Sequence, residues 1–191
     1  KGASCIVQQM EHINIINKDE REVYIYGTEL MLSSIVGIFA LIFASICAGK
    51  YFQWLPFLIG FVPLRLLGGG YHAKTHRGCI IAFTSVYLVC TILTESVKSE
   101  KPLFVMFSIL VLFTIFLFSP VEAKNKTLSI SIRTTNRRKS IVLGLINAII
   151  TTLYVSNIIR DSIWITTYLT GFISAGIFML IAALSRKEDK K

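Results

Sequence analysis

Long uncharged runs separated by short charged clusters set the pattern of the chain. Met31 to Ala48 is 18 residues without a charge, Gly78 to Thr94 is 17, Leu103 to Val121 and Ile141 to Ile159 are 19 each, and Ser162 to Ser185 is 24. A hydrocarbon core of ~30 Å is crossed by ~20 apolar residues in a helix that rises ~1.5 Å per residue. Five spanning helices are predicted on that basis. A sixth run, Tyr51 to Leu64, has 14 uncharged residues, carries Pro56 and Pro63, and ends at Arg65 followed by Gly68-Gly69-Gly70. A run of this length either spans or re-enters. No series of ~10-residue alternating segments, the pattern of a membrane barrel, is present. The expected fold class is therefore all-α: a polytopic membrane protein of about six transmembrane helices, one of them short.

The flanks divide the chain further. In residues 1 to 30, Ile6, Met10, Ile13 and Ile16 recur at near-helical spacing, with Gln8, Gln9, Glu11 and Asn14 on other faces. This predicts an amphipathic helix lying on the membrane surface and not the uninterrupted apolar core of a secretory signal. Asp19 and Glu22 form a capping arrangement ahead of the first span. Residues 31–185 make up the transmembrane domain, with residues 122–140 as its one long polar connection, and residues 186–191 form a basic tail.

Composition agrees with a membrane protein: of 191 residues, 53% are hydrophobic and 16% charged, outside the range of a soluble globule. The formal net charge of +9 raises the possibility of nucleic acid, but its distribution explains it otherwise. With six spans, 16 of the 20 Lys and Arg fall on one side of the membrane and 4 on the other; with five, the split is 14 to 6. Basic loops stay in the cytoplasm. The loop from Arg65 to Arg77 is cytoplasmic in either threading, and no nucleic-acid partner is needed.

Candidate chemistry concentrates in residues 65–79. Arg65-Leu-Leu-Gly68-Gly69-Gly70-Tyr71-His72-Ala-Lys74-Thr75-His76-Arg77-Gly78-Cys79 holds two of the three histidines and one of the four cysteines. His72 and Cys79 are seven residues apart, two turns of a helix, and share a face if the stretch is helical. Such a pair is a nucleophile and its base: the imidazole takes the thiol proton and the thiolate attacks a carbonyl. A rival set is His72, His76 and Cys79 at i, i+4 and i+7, the three ligands of a zinc-dependent peptidase, although the surrounding cations disfavour a divalent ion. Arg65 could equally anchor a helix end, and the glycines could serve only as a hinge. Cys47 and Cys90 read as small hydrophobes, Cys5 as interfacial packing, and Glu95 as an interfacial residue near Lys98. A transporter would need polar groups distributed along several spans, and a passive scaffold would need neither His72 nor Cys79.

The pattern Arg65-x3-Gly69-Gly70-Tyr71-His72-Ala73-x5-Cys79 resembles the signature of the AgrB family, the accessory gene regulator membrane endopeptidases of Gram-positive bacteria. Tyr26-Gly27-Thr28-Glu29-Leu30, the Ser119-Pro120 junction and Arg137-Arg138-Lys139 occupy similar places, so the likeness covers nearly the whole chain. The resemblance implies a cysteine endopeptidase of the bacterial cell membrane, with its active segment at the cytoplasmic face. It would remove the C-terminal tail of an AgrD-type quorum-sensing precursor through a thioester and promote thiolactone ring closure. By the same likeness His72 is the base, Cys79 the nucleophile, and Arg65 and Gly70 are functional positions. Arg65 and the backbone around Gly69 and Gly70 are candidate oxyanion donors. Lys124, Lys126, Arg137, Arg138 and Lys139 would hold the acidic precursor tail. His76 is outside the family pattern, so no metal and no cofactor is expected. Gly171-x3-Ala175 could bring helices together within one protomer or in a homodimer.

Overall fold

The computed structural model describes residues 2–12, 21–69, 76–97, 100–121, 129–160 and 162–188. Seven helices account for almost all of them: α1 (Gly2–His12), α2 (Arg21–Cys47), α3 (Trp54–Gly68), α4 (His76–Val97), α5 (Lys101–Phe118), α6 (Ile130–Val155) and α7 (Ile163–Glu188). Helices α2 and α4 to α7 each contain a stretch long and apolar enough to cross a membrane. Their outward faces carry large apolar side chains such as Phe39, Phe43, Ile92 and Phe113, as lipid contact requires. The chain is an all-α, multi-pass membrane protein.

Contacts at the helix ends fix the direction of each crossing. At one end Lys50, just past α2, pairs with Glu95 near the end of α4. There too Lys101 donates from Nζ to Asn157 Oδ1 at 2.6 Å and lies 4.9 Å from the ring centre of Tyr154. At the other end Gly69 pairs with Val121 just past α5, and Gly68 approaches Met179 of α7 and Ser140 of α6. Helix α3 therefore traverses the bundle from one end to the other; it does not turn back. Its 15 residues rise only ~22 Å, and the turn at 51–53 ahead of it adds to the crossing. The segments around Arg65, Val121 and Ser140 and the start of α2 all lie at one end, which collects most of the Lys and Arg and is called the basic end below.

The short helix is held where small residues let backbones meet. It packs chiefly on α7. A Cβ on Gly60 would lie 2.3 Å from Tyr168 O, and one on Gly171 would lie 2.6 Å from Phe57 O. Gly171, the first residue of the Gly171-x3-Ala175 motif, thus brings α7 against α3 inside a single chain. Around this crossing Phe57, Phe61, Leu64, Tyr87, Phe172 and Met179 form the core, with Phe57 and Tyr87 ring centres 5.2 Å apart, edge to face. A second contact joins α5 and α6, where Gly144 admits Leu112 and Ile115. Ser108, Asn147 and Thr151 are hydrogen-bonded between the same two helices. Such bonds replace the hydrophobic drive that lipid cannot supply.

Two sequence expectations change shape. The polar connection of residues 122–140 is divided, because α6 begins at Ile130. Ser129 caps it by accepting from Ile132 N at 3.4 Å, and Thr134 bonds back to Ile130 O, so an exposed and polar stretch is nonetheless helical. At the N-terminus, Val7 of α1 is fully buried while Ile6 is exposed, and Arg21 lies 3.4 Å from Glu11. Helix α2 starts ten residues before the predicted run, at Arg21, with Glu22 in its first turn. Ile13, Ile16 and Asp19 lie outside the described residues.

Candidate active site

The last turn of α3 opens the candidate site. A cation is favourable at a helix C-terminus, and Arg65 sits there, half-buried, with Nη1 wholly out of solvent contact. Gly68 closes the helix and is buried against Met179 and Leu64. Gly69 follows with φ 75°. This left-handed conformation favours glycine, and a Cβ here would also fall 2.1 Å from Val121 O. Val121 N donates to Gly68 O at 2.8 Å. The glycine turn is thereby clamped, backbone to backbone, onto the segment that leaves α5.

On the far side of the turn, α4 begins at His76 and carries Cys79 in its first turn. Cys79 is a free thiol of intermediate exposure, and it lies within electrostatic reach of Arg65. Arg65 and Cys79, fourteen residues apart in sequence, thus share one electrostatic neighbourhood, and Gly69 follows Arg65 by four residues. Cys5 and Cys47 are exposed and Cys90 is buried, each free and each on another part of the molecule. Gly70, His72 and Lys74 lie outside the described residues, and the side chains of His76 and Arg77 are not described. The His72–Cys79 pair and the zinc set both fall there. Among the described residues no group of three His, Cys, Asp or Glu is arranged to hold a metal ion.

The basic cluster separates into parts. Lys124 and Lys126 lie outside the described residues. Arg137, Arg138 and Lys139 are exposed on the first turns of α6. Arg137 donates from Nη2 to Phe116 O at 3.3 Å, capping a carbonyl of the last turn of α5, so this residue has a structural partner that its charge alone did not suggest. Glu95 pairs with Lys50 at the opposite end of the bundle. The sequence gives no sign of two residues next to the turn, Ser119 and Ser140, both buried with hydroxyls that have no hydrogen-bond partner. An isolated serine in an apolar stretch has no diagnostic spacing, and only the tertiary packing exposes its position.

With α3, the glycine turn and Cys79 so arranged, comparison with known proteins is informative. The model of one family, described as AgrB, accessory gene regulator B, matches residues 3–185. A Clostridium perfringens (strain 13 / Type A) protein named for its likeness to AgrB, AgrB-like protein 2, is 24% identical over 135 residues. That stretch covers 67% of this chain and 61% of the relative, so the chain spans less than two thirds of that protein's length. No solved structure matches.

Proposed function

Because the chain belongs to the AgrB family, we propose that it is a membrane cysteine endopeptidase of the accessory gene regulator system, acting on an AgrD-type precursor peptide. The observation that carries this reading is the electrostatic proximity of Arg65 and Cys79, with Gly69, four residues after Arg65, held where no side chain fits. A thiol at the first turn of a helix, within electrostatic reach of a half-buried guanidinium, is suited to nucleophilic attack on a carbonyl.

The Cys79 thiolate attacks the scissile carbonyl, and Arg65 or backbone amides of the turn stabilise the developing oxyanion. The C–N bond breaks and His72, which took the thiol proton, gives it to the departing amine. This leaves the precursor's N-terminal part as a thioester on Cys79. A thiolate within the precursor then attacks the thioester carbonyl, the bond to Cys79 Sγ breaks, and the product is a thiolactone with Cys79 regenerated. Exclusion of water at a membrane-shielded site favours this transfer over hydrolysis. The basic start of α6 supports docking of an acidic precursor tail, and the charge asymmetry between the two ends supports a cytoplasmic site.

Co-expression with the precursor followed by mass spectrometry tests the chemistry. Cys79→Ala and His72→Ala are expected to abolish cleavage while the protein still inserts, and Cys47→Ala and Cys90→Ala to remain active. Cleavage at the wild-type rate by Cys79→Ala would end the proposal. Sidedness is tested by a cysteine introduced at Thr75 in a cysteine-depleted chain, which should react with an impermeant thiol reagent only after permeabilisation. Labelling in intact cells would reverse the topology.

A further inference from the structure

Two serine hydroxyls flank the glycine turn without satisfying any hydrogen bond. Ser140, near the basic end of α6, is 0% exposed, and its Oγ lies 3.8 Å from the position a Cβ on Gly68 would take. Ser119 is 6% exposed and stands two residues before Val121, whose N–H donates to Gly68 O. Neither Oγ has a partner. Several other interhelical hydroxyls are used: Tyr87 donates to Ser45 at 2.7 Å, Ser108 and Thr151 are 3.0 Å apart, and Thr94 and Thr170 are 3.2 Å apart. The hydroxyls of Thr84 and Thr167 are also buried without a partner, but neither is among the atoms nearest Gly68 or Gly69, as Ser140 Oγ is to Gly68. A buried hydroxyl with no partner is a net loss to the resting fold, and alanine would fill either position without it. Loss of stability beside a reaction centre calls for a state in which the group is satisfied.

We propose that Ser140 and Ser119 are positioning residues for the reaction at Cys79, their hydroxyls kept for the backbone of the glycine turn when the precursor is seated. The inference rests on the peptidase reading above. In the resting protein the turn is tied to Val121 by one backbone bond. With the precursor seated at Cys79 the turn stays against Val121, and the two hydroxyls, turning about their χ1 torsions, complete its hydrogen bonding. Arg65, three residues before Gly68 on the same helix, is fixed with it. The cost of the unsatisfied groups is borne before the substrate arrives, so part of the binding energy appears as alignment in the transition state.

The experiment uses the full chain in lipid nanodiscs with a synthetic precursor, reading kcat, KM and thermal midpoint together. Ser140→Ala should hold or raise the thermal midpoint and lower kcat about tenfold, with KM changed less than twofold, because the bond forms only on the reaction path. Ser119→Ala should behave in the same way, and Ser119→Thr, which keeps the hydroxyl, should recover most of the rate. A merely structural serine gives another pattern, with kcat falling only as the thermal midpoint falls, and that result would overturn the inference. Wild-type kcat in both alanine variants would overturn it as well, while an inactive Cys79→Ala measured alongside would leave the peptidase reading standing. If Cys79→Ala is itself fully active, the peptidase reading fails and this inference with it.

Discussion

The two ends of the bundle are joined by different means. At the Lys50 end, helices are linked through side chains: Lys50 to Glu95, Lys101 to Asn157 and the Tyr154 ring, and Tyr87 to Ser45, which in turn donates to Lys50 O. Among the described residues toward this end, Gln53 Oε1 and Thr167 Oγ1 are buried without a partner. At the basic end the glycine turn is joined main chain to main chain, Val121 N on Gly68 O, with Gly69 placed where no side chain fits, and the Arg137 side chain adds a cap on Phe116 O. Side-chain links are replaceable, because each is one weak contact among several and its long side chains can rearrange. Backbone links made through glycine are not, because the geometry belongs to the chain itself. The proposed peptidase site, which would hold a thiol and a guanidinium in register, gains from the second kind of joint.

After loss of Cys79 itself, Gly69→Ala is the severest change expected at the basic end. The new Cβ meets Val121 O, and φ 75° with ψ −154°, a combination nearly confined to glycine, strains any L residue by ~1–3 kcal/mol, so the turn must shift. A displacement of order 1 Å can cost ~100-fold in rate. Gly68→Ala should be milder, since the 3.0 Å contact it makes is with the Met179 thioether, at the far end of a flexible side chain. Gly27→Ala, with nothing within 4 Å, should be silent. Cleavage rates of the three variants decide this, and equal losses at Gly69 and Gly68 would refute the backbone-clamp account.

Smaller effects are expected from the exposed cations. Neutralising Arg138 and Lys139 together should raise the KM for a full-length precursor several-fold and leave a neutral-tailed precursor almost unaffected. Single exposed ion pairs are worth ~0.2–1 kcal/mol and are screened by salt, so the difference between substrates should shrink at high ionic strength. Adding Arg137→Gln should bring a loss of thermal stability that the other two do not, through the uncapped Phe116 carbonyl. If both substrates lose equally, the cluster anchors the helix end and does not read a tail. At the opposite end, Lys50→Ala or Glu95→Ala should lower stability by no more than ~1 kcal/mol and leave cleavage intact, because both side chains are partly exposed. A large kinetic effect there would show that the two ends are coupled.

Much of the architecture is readable from charge-free runs alone, because lipid forces each backbone polar group into a helix and so converts hydropathy into topology. The passage of residues 51–64 is not. Its length permits spanning or re-entry, and the choice depends on Gly60 meeting the backbone at Tyr168 and Gly171 meeting that at Phe57, contacts between distant parts of the chain. The polar start of α6 is also hidden, since its helix rests on local capping by Ser129 and Thr134 and not on an apolar face. In the site, Arg65, Gly69 and Cys79 can be picked out by spacing because they belong to one compact segment. Ser119, Ser140 and Val121 cannot, because they reach that segment only through tertiary packing from α5 and α6.

The early start of α6 also sets a length scale. Ser140 is level with the glycine turn, and ten further residues of helix extend from it to Ile130, a projection of ~15 Å at ~1.5 Å per residue. Extended peptide covers ~3.3–3.6 Å per residue, so a strand laid along this projection uses about four or five residues between its tip and the turn. On the proposed reading, a tail held at Arg137 to Lys139 lies within about one turn of Ser140, and only a tail that runs on to the α6 tip is measured by this projection. Lengthening or shortening the spacer between such a tail and the precursor's cleavage point should move the cut or slow it, in steps of whole residues.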